Sequence, residues 1–358
     1  MKRRRGQVVE IHDLTDFDER VRAGVVSMTG WVITGLDLRD REDVLAGCRV
    51  AGAMFLGCRL TPASDASLEA RGALVFPAMP TVPVDTWPAR LYTPDDLYDT
   101  PAYRRSLDAR AYAWSRETGR EAALARALHD HGIDTALAAW TKGRSLVGVM
   151  GGHASERGSA DYAEAARLGQ GLSGSRTVAT GGGPGAMEAA NLGAWLSRRP
   201  AEALEEALAL LGRVPSFRPD VGAWVDAAFE VRDRWPDGGE SLGIPTWHYG
   251  HEPPNAFATS IAKYFGNPVR EAILLQICNA GIVFLPGAGG TVQEIFQDAC
   301  ENYYADASSV APMVLVGRVY WTETFPAWPL LQALAKGRPM EPHVHLVDTV
   351  DEAVSLLG

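Results

Sequence analysis

Lysine is scarce in this chain: of 34 basic residues only Lys2, Lys142, Lys263 and Lys336 are lysines. A Schiff-base mechanism on pyridoxal phosphate needs a lysine set into a site, and none of these has a supporting motif. Lys142 precedes the first strand of the second half, Lys263 stands outside any motif, and Lys336 falls in a late helical stretch. Cysteine is sparse too. Cys48, Cys58, Cys278 and Cys300 form no CxxC pair and no ligand spacing, which argues against a disulfide scaffold or a zinc ribbon and predicts reduced thiols. No apolar run approaches membrane-spanning length, so no membrane contact is expected. The Met-Lys-Arg-Arg-Arg start has no apolar stretch behind it, which predicts a cytoplasmic protein. Positive charge is in deficit. A net charge of −10 argues against nucleic acid as partner, yet a small phosphorylated ligand held by backbone dipoles remains compatible with it.

With 358 residues, 46% of them apolar, the chain can bury a full core and has room for two or three domains. Residues 1–95 carry short apolar pieces broken by glycine and charge. Leu36-Asp-Leu, Cys48-Arg-Val and Cys58-Arg-Leu hint at a repeat of the solenoid kind. Pro77, Pro80, Pro83 and Pro88 then read as an extended connector. Residues 96–143 have helical spacing, with one helix expected to stop and another to start near His131-Gly132. From residue 144 to 358 strands alternate with helices, the pattern of a Rossmann-like parallel sheet covered on both faces. The Ala/Leu-rich stretch from Pro200 to Ala228, with Trp321 and Trp328, offers more apolar surface than one sheet should need, which predicts a homodimer or higher oligomer.

Three predicted strands end in glycine turns: Gly151-Gly152-His153, then Gly181 to Gly185, then Pro286 to Gly290. In an open α/β sheet ligands bind beyond the carboxyl ends of the strands, so these turns should converge on one cleft. Gly287, Gly289 and Gly290 let backbone N–H groups approach a ligand, and Thr291 is placed to cap the helix that follows. Its N-terminus could hold a phosphate without lysine. Glu294 lies one turn further in. The same stretch also fits an ordinary tight turn with a solvated glutamate. His248 and His251 with Glu252 invite a metal reading, but HxxHE has no defined third ligand elsewhere in the chain and stands among prolines, not on a helix, so these read as loop residues lining the cleft.

The segment TGGGPGAMEAANLGA, Thr180–Ala194, resembles the GGGxxGxM motif of the LOG (Lonely Guy) family of nucleoside 5′-monophosphate phosphoribohydrolases, in the form of its larger bacterial members. LPGAGGTVQE, Leu285–Glu294, resembles that family's PGGxGTxxE. The likeness runs from about Ser145 to the C-terminus. It implies a Rossmann-like fold, assembly into dimers or more, and an activity once mislabelled as lysine decarboxylation. By matched position it implies Arg270 and Glu294 as catalytic residues and the Gly287–Thr291 turn as phosphate holder. The convergence of the other two turns on the same cleft adds Gly151, Gly152, Gly182, Gly183, Gly185 and Met187 around the substrate. Two departures stand out. Ala288 occupies a family glycine, where a left-handed alanine would cost about 1 kcal/mol, and Glu271 follows Arg270 where many short members have lysine.

The chemistry fits that activity. Cleaving an N-glycosidic bond passes through an oxocarbenium-like sugar, which Glu294 would stabilise while orienting water, and Arg270 would anchor phosphate or base. Products would be a free base and ribose 5-phosphate, and no metal or redox cofactor is required. The alternative is a nucleotide sensor that binds the same ligand without hydrolysing it.

Overall fold

The computed structural model describes residues 8–79, 82–248 and 252–358. Pro80 of the connector and His251 of the metal reading lie outside them. The chain divides into two compact units. One contains the chain up to Arg90 together with Glu117–Ala136, and the other contains Leu91–Arg116 and Leu137–Gly358. The segment expected as one helical connector, 96–143, is therefore shared between the two.

The smaller unit is built on four parallel strands in sequential order, β1 Val9–Ile11, β2 Trp31–Thr34, β3 Met54–Leu56 and β4 Leu74–Phe76. The register pairs Val9 with Trp31, Val32 with Met54, and Met54 with Leu74. Each coil contributes one strand and one helix: Leu14–Arg22, Glu42–Gly47 and Pro62–Ala70. The repeat hinted at in the sequence is thus a solenoid. Gly30, Gly52 and Gly72 recur at the same corner with φ of 81°, 77° and 85°, a left-handed bend that a side chain resists. Ile11, Phe17, Ile33, Leu45, Phe55 and Leu68 fill its core. Arg120–Thr141 is one unbroken helix of 22 residues, not two. Gly132 does not end it. The glycine is there because an added Cβ would lie 2.5 Å from the Pro88 ring.

The larger unit holds seven parallel strands: β5 Leu146–Met150, β6 Thr177–Thr180, β7 Ser241–Gly243, β8 Ser260–Ile261, β9 Ile282–Phe284, β10 Met313–Val316 and β11 Val344–Val347. Their order is 11-10-9-5-6-7-8, a Rossmann-like α/β sheet flanked by helices. The chain winds outward from β5 to β8 and returns to the other side of β5 at β9. This puts the topological switch point between β5 and β9. Helix Ala186–Trp195 is buried at every residue except Met187. It packs on Ala160–Leu172 through Gly169 and Gly193, where an added Cβ would strike the facing backbone. Ala203, Leu204, Ala207, Leu208, Leu211 and Ala228 are buried in this core, and Trp321 is buried as well. Of the apolar residues behind the oligomer expectation these are covered within the chain, whereas Trp328 is half-buried and its neighbours Phe325 and Leu330 are exposed. All four cysteines are free, and among the described residues no helix is long and apolar enough to cross a membrane.

Candidate functional site

The three glycine turns meet at the carboxyl ends of β5, β6 and β9. Gly152 N–H donates to Pro286 O at 3.2 Å, Ala186 N–H to Gly152 O at 3.1 Å, and Leu285 N–H to Met150 O at 2.8 Å. Glycine is needed for this closeness. A Cβ on Gly151 would sit 3.0 Å from Ala186 Cβ, and one on Gly287 would sit 2.8 Å from Thr291 Cβ and 3.1 Å from Gly152 N. Beside the turns opens a cavity of about 810 Å³, a volume in the range of small-molecule sites. Gly151, Gly152, Gly183 and Met187 line it, as do Gly287, Gly289, Gly290 and Thr291, together with Arg270 and Glu294.

Two expected ligand contacts are placed elsewhere. Gly182 and Gly185 do not line this cavity. Their φ values of +71° and +75° shape the turn, and Cβ atoms there would lie 2.6 Å from Pro245 Cδ and from Gly152 O. A buried polar network fixes the same turn. Thr180 Oγ1 donates to Asn191 Oδ1 at 2.7 Å, and Asn255 Nδ2 donates to Asn191 Oδ1 at 3.0 Å and to Gly183 O at 3.2 Å. Glu188, one turn into the helix, is fully buried against Arg157, with Nη2 to Oε1 at 2.5 Å and Nε to Oε2 at 3.0 Å. The pair carries no exposed charge; Arg157 also donates to Trp224 O and lies over its ring.

Helix Gly289–Tyr304 starts at the cavity. Its N-cap is Ala288, with φ −96° and ψ −139°, and no side chain caps it. Thr291 therefore does not play the expected capping role. It is buried at the third helical position against Gly287. Ala288 is not left-handed, so the alanine in the family's glycine place escapes the cost of that conformation. Among the described residues the N–H groups of Gly289, Gly290 and Thr291 make no hydrogen bond, and Cβ atoms on Gly289 and Gly290 would meet nothing within 4 Å. This is an open, donor-rich helix end.

Glu294 follows one turn later, half-buried and facing the cavity. Burial pushes its carboxyl up to about 7, the positive field of Arg270 opposes that, and the negative field of Glu271 adds to it. Arg270 Nη2 donates to Asn267 Oδ1 at 3.1 Å and lies 3.7 Å from Glu271 Oε1, while among the described residues its buried Nε has no hydrogen-bond partner. A turn deeper, burial pushes Asp298 up to about 8, with Asn302 Nδ2 at 3.3 Å from it. Sequence reasoning gave no site role to Asn267, Glu271, Gln293 and Tyr320. Asn267 and Glu271 lie on a predicted helix without a motif of its own, and Gln293 sits at a variable position of the LPGAGGTVQE motif. Tyr320, whose hydroxyl donates to Gly287 O at 2.9 Å, comes from the short helical segment Tyr320–Thr324, distant in sequence.

Glu252 lines the cavity as expected, whereas His248 does not. Among the described residues no cluster of three or more His, Cys, Asp or Glu forms a metal site. No lysine lines the cavity. Lys263 is buried in a pair with Asp108, Nζ to Oδ1 at 2.6 Å, beside the Trp247 indole, which donates to the same carboxylate.

No family model and no curated protein matches this chain. Solved structures do match. The molybdenum cofactor binding protein of Rippkaea orientalis is 17% identical, over 60% of this chain and 96% of that one, with a TM-score of 0.36. The molybdenum cofactor carrier protein of Chlamydomonas reinhardtii is 18% identical, over 60% of this chain and 95% of that one, also with a TM-score of 0.36.

Proposed function

We propose that this cavity binds nucleoside 5′-monophosphates and hydrolyses their N-glycosidic bond. One observation carries the reading: an uncapped helix end with free N–H donors opens one turn from Glu294, in a cavity that also holds Arg270. The 5′-phosphate takes the N–H groups of Gly289, Gly290 and Thr291, where the helix dipole favours an anion. That fixes the ribose beside Glu294. The C1′–N bond breaks, its electron pair leaves with the base, and the base takes up a proton. Ionised Glu294 stabilises the positive charge growing on the sugar and accepts a proton from the water that attacks C1′. Arg270 holds the phosphate or the departing base. Free base and ribose 5-phosphate result, through a scheme that calls for no metal or redox cofactor and matches the LOG-family resemblance of the two motifs.

The alternative is a sensor that binds the same ligand in this cavity without hydrolysing it. Incubation with a panel of nucleoside monophosphates, followed by chromatography, should release free base from at least one of them. Binding without any release would leave the sensor reading in its place.

A further inference from the structure

Helix Asn267–Ile277 and helix Gly289–Tyr304 both begin at the cavity, one carrying Arg270 and the other Glu294. A string of polar contacts that the glycine motifs do not account for joins them. Gln293 Nε2 donates to Glu271 Oε2 at 2.8 Å, and Asn267 Nδ2 donates to Glu271 Oε1 at 2.6 Å. With its amide nitrogen held by a carboxylate, Asn267 turns its oxygen to Arg270, whose Nη2 donates to it at 3.1 Å. Glu271 is the residue on which the string hinges.

We propose that Glu271 is a positioning residue for this site: through Asn267 it aims the Arg270 guanidinium, and through Gln293 it joins the helix bearing Arg270 to the helix bearing Glu294. The proposal deepens the nucleotide reading and rests on it. It also has a sign that plain electrostatics does not share. Glu271 lies 3.7 Å from Arg270 and offsets part of its charge. Were charge the whole effect, removing it would tighten the grip on a phosphate. If aim is what matters, removing it loosens that grip.

The proton held by Glu294 supplies a second readout. From the first helix Arg270 and Glu271 act on it, and the Cys278 thiol beyond that helix senses its charge. Glu252, His153, Asp161 and Tyr320 line the other walls, and Asp298 lies a turn deeper on its own helix. Of these, Arg270 lowers the Glu294 proton affinity and Glu271 raises it. Losing the Glu271 charge should move the rise of kcat/KM to lower pH.

The experiment compares the full-length chain with Glu271→Gln and Gln293→Leu, using adenosine 5′-monophosphate as probe and following both binding by calorimetry and base release across pH. For Glu271→Gln, Kd and KM should rise about tenfold, the scale of losing one charge-assisted hydrogen bond, and the acid limb should shift down. Gln293 is exposed, so Gln293→Leu should fold; it cuts the tie between helices but keeps the charge, and should raise Kd with the limb unmoved. A Kd that falls or stays put in Glu271→Gln overturns the proposal. If the wild-type chain binds without releasing base, the hydrolytic reading fails and the Kd values alone decide. If it neither binds nor hydrolyses, the proposal falls with the reading.

Discussion

Glu294 sits where two demands meet. A carboxyl near a phosphate must not repel it, and a carboxylate beside an oxocarbenium ion must be charged. Burial lifts its proton affinity to about 7, so near neutral pH both forms are populated. Because the proposed hydrolysis needs the ionised form, kcat/KM should rise as pH climbs through about 7. Glu294→Gln should lose turnover by about 10² or more while binding survives. Its stability tells the same story. A carboxyl whose folded proton affinity is raised above the unfolded value destabilises increasingly as pH rises from about 4.5 to about 7. The glutamine variant should therefore melt no lower than wild type at pH 8; a residue serving only as partner to the helix dipole would make it melt lower. Asp298 behaves likewise without touching the cavity. Raised to about 8, it holds its proton in the fold and costs stability as pH rises from about 3.8. Asp298→Asn keeps an acceptor for Asn302 and should stabilise the protein at pH 8 by on the order of 2 kcal/mol, read as a higher Tm.

At the scale of the element, the turn before Gly289–Tyr304 separates a ligand site from a mere connection. Gly287 is sterically committed, for its missing Cβ leaves room for Thr291 and for the Gly152 backbone. Gly287→Ala should lower Tm, by about 1–3 kcal/mol in stability, and spoil binding with it. Gly289 and Gly290 have negative φ and open space where a Cβ would stand. In a plain turn, alanine at either position should be harmless or slightly stabilising, since it is the better helix former. If a phosphate occupies that space, Gly289→Ala and Gly290→Ala should raise KM with Tm unchanged. Unchanged KM in both would remove the phosphate from this turn. Much of this element was legible from sequence, because glycines after an apolar strand have few other uses. The cap was not. Nothing in the string distinguishes a Thr291 that caps from one that packs under Gly287. β7 and β8 were missed for a related reason: three residues and two show no periodicity, and Gly243 and Pro245 read as turn.

For the whole molecule, the larger unit was easy to read and the smaller one was not. Alternation of strands and helices announces a parallel sheet, whereas the solenoid makes few turns and rests on positions such as Gly30, Gly52 and Gly72, too sparse to stand out. The boundary followed the prolines in the sequence, but the helix Arg120–Thr141 ignores it, since residues up to Ala136 belong with the small sheet. This changes what truncation should do. The proline-rich connector suggests cutting the chain there to remove the strands before it. A chain beginning at Leu91 would keep the helix but strip the cover from Ala125, His129 and Ile133, all fully buried in the intact protein. Ile133 alone represents about 1.5–3 kcal/mol of burial. Such a chain should aggregate or melt early and lose hydrolysis through unfolding. Polar substitution of Ala125 and Ile133 in the truncated chain should restore solubility and, with it, base release. A truncated chain that melts like the full-length protein without those changes would show that the helix does not depend on the solenoid. A soluble, folded one that has lost hydrolysis would instead mean that the solenoid serves the site itself.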